Sequence, residues 1–312
     1  MKKKKKFDVV GFGPATIDYI CLIGNIANYN QAVFISDIKF SSGGCVATAL
    51  VTLQRLGGKS TFSSCLGDDW IGNEIVKRLK KEGIDCSAVE YSKFGLSPFS
   101  FIQVSQKTGD RAIAYFPGSK DLFYFNTEVK EAIKESEILL IDGLLPEEDL
   151  KAVRYAKKNN IKVMLDANII LDGTMELLPY IDFLITSKAF LNEYSKKEEI
   201  NYSLKKVYKD LKPEILITTL GKEGSVSLIN NEIVHVDTFR GNEIDTTGAG
   251  DVYHGAFLLG ILKNWNVKDT MIFSSAVSSI KCAKYGGTEG IPDFKTTMDF
   301  LKKRGIDVSK FI

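Results

Sequence analysis

Asp245-Thr246-Thr247-Gly248-Ala249-Gly250-Asp251 is the stretch from which the rest of this chain can be read. It stands between a polar turn, Arg240-Gly241-Asn242, and an apolar run from Val252 to Leu262 that has helical length. Two glycines around a small residue let the backbone turn tightly and come close to a ligand. If a helix begins near Ala249, its first amide N–H groups have no partner inside the helix. They point outward, backed by the positive end of the helix dipole, and make a seat for an anion. The dipole favours such an anion by about 0.3–1 kcal/mol, and by up to about 2 kcal/mol when it is partly buried. Asp251 would share that seat. Proton transfer gives it a reason to be there, because a base beside a phosphate seat can deprotonate an attacking hydroxyl. The same spacing also fits a plain helix N-terminus at which Asp251 only favours the dipole.

The totals narrow the setting. A chain of 312 residues can bury a large core as one big α/β domain or two smaller ones. Its 44% hydrophobic and 26% charged residues are ordinary for a globular protein. A net charge of +2 gives no overall reason to expect nucleic acid, and no apolar run reaches membrane-span length. Lys2 to Lys6 read as a solvated tail, and Phe7-Asp8-Val9-Val10 is too short and too charged for a signal peptide. The five cysteines, Cys21, Cys45, Cys65, Cys86 and Cys282, form no Cys-x-x-Cys pair, which argues against a zinc site or a disulfide framework. A reducing cytoplasm fits, and the expected location is cytoplasmic.

Phe7 to Gly13 reads as a buried strand ending in a turn. Gly11-x-Gly13 invites a dinucleotide-binding reading, but Thr16 stands where the third glycine belongs and no helical pattern follows at once. Ser42-Gly43-Gly44 precedes a helical stretch, Ala47 to Leu56. Gly58-Lys59-Ser60 imitates the end of a P-loop, but with helix before and strand after, the reverse of the required order. Segments 97–104 and 111–116 alternate polar and apolar around Thr108-Gly109-Asp110 and read as a hairpin with one solvated face. From Ile138 onward short apolar runs alternate with helical ones, the mark of a parallel sheet covered on both faces. Asp142, Asp166 and Asn168 fall at the carboxyl ends of those strands, where such sheets bind ligands, although each could equally cap a helix. His254 lies one helical turn after Asp251, and it and His235 are read as structural.

The Asp245–Asp251 motif resembles the C-terminal signature of the PfkB, or ribokinase-like, carbohydrate kinases, and the likeness extends over residues 7 to 305. It implies a single α/β domain over 1–312, with a mostly parallel central sheet flanked by helices and a small β-sheet lid formed by segments of about 16–40 and 97–117. It implies an ATP-dependent kinase that phosphorylates a hydroxyl of a sugar or sugar derivative. Asp251 would be the general base, and the backbone of Gly248, Ala249 and Gly250 the anion hole. Asp18, Gly43, Gly44, Thr48 and Asp166 would hold the sugar. Thr48 stands where the family usually has Asn, a change that bears on which sugar is taken. Thr219, Gly221, Gly224 and Ser275 would contact the nucleotide. The expected cofactors are ATP and Mg2+, although Ser187-Lys188-Ala189-Phe190 lacks the carboxylate of the family's Asn-x-x-Glu motif. Related enzymes hold a monovalent cation such as K+ on the counterparts of Asp245 and Thr247. A homodimer through the lid would cover an otherwise open sheet edge. No nucleic-acid or membrane partner is expected. Two other readings stay open, a nucleoside kinase of the same fold and a non-catalytic sugar- or nucleotide-sensing protein.

Overall fold

The computed structural model describes residues 4–108, 110–119, 122, 125–241 and 243–312. Gly109 of the hairpin turn, Asn242 before the motif, and Lys2 and Lys3 of the lysine run lie outside the described residues.

The chain opens with β1 (Phe7–Phe12), β2 (Thr16–Ile23) and β3 (Ile35–Gly43). Helix α1 (Cys45–Arg55), β4 (Ser60–Gly67), α2 (Trp70–Lys81) and β5 (Asp85–Ser92) follow. The hairpin β6 (Phe99–Ser105) and β7 (Arg111–Phe116) precedes α3 (Thr127–Lys134), β8 (Ser136–Ile141) and α4 (Pro146–Lys158). Next come β9 (Lys162–Ala167), a single turn α5 (Thr174–Leu177), β10 (Phe183–Ser187), α6 (Lys188–Ser195) and α7 (Ile200–Leu211). The C-terminal part holds β11 (Ile215–Thr219), β12 (Ser225–Ile229), β13 (Glu232–Val236), α8 (Ala249–Leu262), α9 (Val267–Lys281) and α10 (Phe294–Lys303).

Nine strands form one sheet in the order β13-β12-β11-β10-β9-β8-β1-β4-β5. From β11 to β5 every pairing is parallel, and β12 and β13 are added antiparallel at one edge. Alternation along the strands divides the core in two. Val9, Ile138, Leu140, Met164 and Ile185 pack with α1, α2, α8 and α9 on one face. Val10, Leu139, Ile141, Val163 and Leu184 pack with α3, α4, α6 and α7 on the other. Both faces are covered, so the strands carry near-continuous apolar runs, as parallel strands must. Helix α8 is buried along Val252–Gly260, which explains why its sequence is apolar all round rather than on one stripe.

A second sheet runs β3-β2-β6-β7. β2 pairs antiparallel with β3 and parallel with β6, and β6 pairs antiparallel with β7. Its four strands therefore span 16–43 and 99–116. One face carries Asp18, Ile20, Leu22, Ile102, Val104 and Arg111, and residues of that face line a cavity of about 390 Å³ together with Asp245, Thr246 and Thr247. The opposite face carries an aromatic cluster in which Tyr19 lies 5.0 Å from Phe40 and 5.8 Å from Phe101 between ring centroids. Among the described residues no helix is long and apolar enough to cross a membrane.

Where α9 begins is set by the Asn266 side chain, which caps it by accepting the Asp269 amide at 2.9 Å. β5 is a partly exposed strand and α3 only eight residues long.

Candidate active site

Gly248 takes the left-handed conformation (φ 72°) that a side chain rarely adopts, and from it the chain enters α8 at Ala249. The first α-helical bond runs from the Val252 amide to the Gly248 carbonyl at 2.9 Å. The Ala249 amide is used differently from the sequence expectation. It donates to the Thr246 carbonyl at 3.1 Å and closes the turn ahead of the helix. Of the four amides at this helix start, those of Gly248, Gly250 and Asp251 remain, which helix geometry leaves outside the ladder.

Asp251 stands in the first turn of α8 and is partly buried. Its carboxylate, the Cys45 thiol and Asp166 bring one ligand atom each within 4.8 Å of one another. His254, one turn on, places Nδ1 2.6 Å from the Gly250 carbonyl and 3.4 Å from Asp166 Oδ2. Burial, reinforced by the charge of Asp166, pushes the Asp251 carboxyl up to about 6, with His254 opposing. Burial also lifts Asp166 to about 7, against its hydrogen bond from Asn168, and Asp142 to about 8, against the Leu144 amide. The same burial lowers His254 below the ordinary histidine value, with Asp251 opposing. Asp142 Oδ2 and Asp166 Oδ2 are buried and have no hydrogen-bond partner among the described residues. This end of the strands thus gathers acids that are readily protonated and acceptors that lack donors.

Asp18 approaches from β2. It is buried, accepts from the Thr16 hydroxyl at 3.0 Å, and burial raises its carboxyl above the usual carboxylate value. Gly43 pairs with Thr16 on the neighbouring strand, and a Cβ there would sit 2.3 Å from Asp18 Oδ2, so glycine is what makes room for the acid. Gly44 caps α1, and the buried Thr48 one turn on comes close to Gly248, its methyl 3.6 Å from where a Gly248 Cβ would be. Of the expected sugar-side residues, Thr48 and Asp166 thus lie beside the start of α8, while Asp18 and Gly43 meet each other. Thr219 ends β11 and its hydroxyl donates to the Thr186 carbonyl at 3.3 Å. Gly221 and Gly224, both at positive φ, turn the chain into β12. Ser275 is buried on α9. Ser187 caps α6 by accepting the Phe190 amide at 3.0 Å, which gives that stretch a structural use without a carboxylate.

Asp245 lies below the ordinary carboxylate range: burial alone would raise it, but the Thr247 hydroxyl and amide and the Gly286 amide outweigh that. Arg111, reaching from β7 of the small sheet, bonds the Asp245 carboxylate at 3.3 Å, the Thr246 hydroxyl at 3.0 Å and the Thr247 hydroxyl. From the other side, Lys281 Nζ donates to the Asp245 carbonyl at 3.1 Å and to the Thr247 carbonyl. These are the groups expected for a monovalent cation. A lysine amine already rests on two of its oxygens, so the residues present do not fit a free cation at that point.

Three participants escaped the sequence reading as site residues: Cys45, Arg111 and Lys281. Cys45 directly follows the Gly43-Gly44 pair, a signal that was available. Arg111 and Lys281 carry no motif, and only the fold brings them to residues 245–247.

The model of the pfkB family carbohydrate kinases matches residues 6–293. The chain is 27% identical to 5-dehydro-2-deoxygluconokinase from Clostridium botulinum, over 97% of this chain and 95% of that one. It is 25% identical to ribokinase from Lactococcus lactis subsp. lactis, over 95% of this chain and 97% of that one. The structure of Arabidopsis thaliana ribokinase complexed with ribose and ATP superposes with a TM-score of 0.85 at 21% identity, covering 95% of this chain and 99% of that chain.

Proposed function

We propose, from the premise that this chain belongs to the pfkB family of carbohydrate kinases, that it transfers a phosphoryl group from ATP to a sugar hydroxyl with Asp251 as general base. The observation that carries the reading is the placing of Asp251: a partly buried carboxylate, raised to about 6, in the same helical turn as amides left out of the ladder. A base with a value just below neutral pH is ionised when needed and still takes a proton well.

In this reading Asp18, with the Gly43-Gly44 backbone, Thr48 and Asp166, holds the sugar so that one hydroxyl faces Asp251. Asp251 takes that proton as the oxygen attacks phosphorus. The Gly248, Gly250 and Asp251 amides hold the phosphoryl oxygens where negative charge builds, which is where fixed donors lower a barrier. Thr219, Gly221, Gly224 and Ser275 line the nucleotide side. Magnesium, when bound with the nucleotide, supplies charge neutralisation at the phosphates, and the unpartnered Oδ2 atoms of Asp142 and Asp166 fit its water shell. The small sheet acts as a lid that keeps water from becoming the acceptor. Its half-exposed aromatics, Phe40 and Phe101 among them, make a face suited to a second copy of the chain. Size-exclusion chromatography of wild type against Phe40→Asp reads that dimer.

The test is ADP release with ATP and magnesium over a panel beginning with ribose and 5-dehydro-2-deoxygluconate, beside a nucleoside panel. Turnover of a sugar supports the reading. Turnover of nucleosides alone moves the chain to the other acceptor class. Ligand-dependent thermal stabilisation with no ADP from any acceptor would make it a sensor.

A further inference from the structure

Lys281 is fully buried at the last turn of α9, 0% exposed. Long amines are almost never buried without a partner that compensates them. Here the compensation comes from the stretch that precedes α8. Lys281 Nζ donates to the backbone carbonyls of Asp245 and Thr247. The carbonyl of Cys282, the residue that caps the end of α9, accepts the amides of Ile244 at 2.7 Å and Asp245 at 3.1 Å. The end of α9 therefore satisfies both the donors and the acceptors of that stretch. The negative end of its dipole further favours a cation at this place.

We infer that the Lys281 amine is this chain's own fixed cation, replacing a diffusible monovalent ion in holding residues 245–248 so that the following amides face the phosphate seat. This rests on the kinase reading only for its activity arm. An ion such as K+ would need the same two carbonyl oxygens at the same place, and the amine supplies positive charge and directed donors there without binding from solution. Burial lowers Lys281 from the ordinary lysine value, while Asp245 first, then Cys282, Glu289 and Asp251, favour its charged form. Lys281 touches no reacting group in this arrangement; it is a positioning residue.

Two arms test it. In the first, the thermal midpoints of wild type and Lys281→Ala are titrated with KCl at constant ionic strength against tetramethylammonium chloride. Wild type should show no K+-specific shift. Lys281→Ala should start lower and regain stability saturably with K+ or ammonium. In the second, turnover is measured in the same salts. Wild type should be indifferent to K+. Lys281→Ala should lose about 10- to 100-fold in tetramethylammonium, the scale of one charge-assisted contact, and recover with K+ or ammonium. Should Lys281→Ala not fold, Lys281→Gln, which keeps donors but no charge, takes its place. K+-specific stabilisation or several-fold K+ activation of wild type overturns the inference, as does a lysine variant indifferent to every salt and as active as wild type. If no acceptor is turned over, the kinase reading fails while the thermal arm still decides the role of Lys281.

Discussion

Replacing Asp251 with Asn removes one ionisable oxygen and almost no volume. In the proposed mechanism the variant cannot accept the substrate proton. Loss of a general base commonly costs about 10²–10⁴ in rate, or about 3–5 kcal/mol of barrier. The structure adds a pH dependence. With the carboxyl at about 6, roughly nine tenths is ionised at pH 7 and roughly one tenth at pH 5 for a simple titration. Wild-type kcat/KM should therefore rise about tenfold between pH 5 and 7, and this limb should be absent from Asp251→Asn. The stability control has a definite sign. The folded value lies above the unfolded 3.8, so the group's contribution is fully present below pH 3.8 and is lost as pH rises through about 6. A neutral amide escapes that loss, and the variant should melt at or above the wild-type midpoint at pH 7. The assay is single-turnover ADP formation with the acceptor found in the panel, beside thermal melts. Turnover within a factor of about two of wild type would refute the role given to Asp251. So would an acid limb centred at the ordinary carboxylate value.

Other changes probe the same arrangement. Asp18→Asn should lower kcat/KM for the sugar by about 10- to 100-fold, mostly through KM, while ATP binding measured by calorimetry stays unchanged. A Cβ added at Gly250 meets no atom within 4 Å, so Gly250→Ala should fold as well or gain about 0.4–1 kcal/mol in urea unfolding. Its turnover should fall nonetheless, because the methyl enters the space above the seat. Asp142→Asn tests the strand-end acids. The Asp142 carboxyl, raised by burial to about 8, loses its stabilising contribution as pH climbs from 3.8 through 8. Urea midpoints of wild type and variant should thus separate in the variant's favour toward pH 8.5.

Much of the fold was legible because its rules are local. The strands from β8 to β11 are apolar on both faces, and α4 begins at a proline. The start of α8 followed from two glycines and the change to an apolar run. Legibility failed where one hydrogen bond or one distant contact decided the outcome. Whether the Ala249 amide would face a ligand depended on whether Thr246 would claim it, and the spacing of glycines says nothing of that. The start of α9 depended on a cap at Asn266. Asp142 and Asp166 were placed at strand ends by pattern, but their raised values come from burial, with the charges of Asp166 and Asp251 adding to it at Asp142, and only the assembled sheet produces that.

The turn before α8 shows why a motif is necessary and yet insufficient. Residues 245–248 lie in a stretch without a ladder of its own, and such a stretch would not hold the Gly248 amide and the helix start that follows in one direction unaided. The structure anchors it from two sides. Arg111 takes the side chains of Asp245, Thr246 and Thr247 from the small sheet, and Lys281 takes the carbonyls of Asp245 and Thr247 from α9. Arg111 sits on β7 of the small sheet, whereas Lys281 is embedded in the core. In the proposed mechanism the small sheet is the lid, so one anchor would be permanent and the other tied to the lid's position. Under that proposal an opening movement would release the side chains of residues 245–247 and leave their backbone held, so the donors would keep their direction between turnovers.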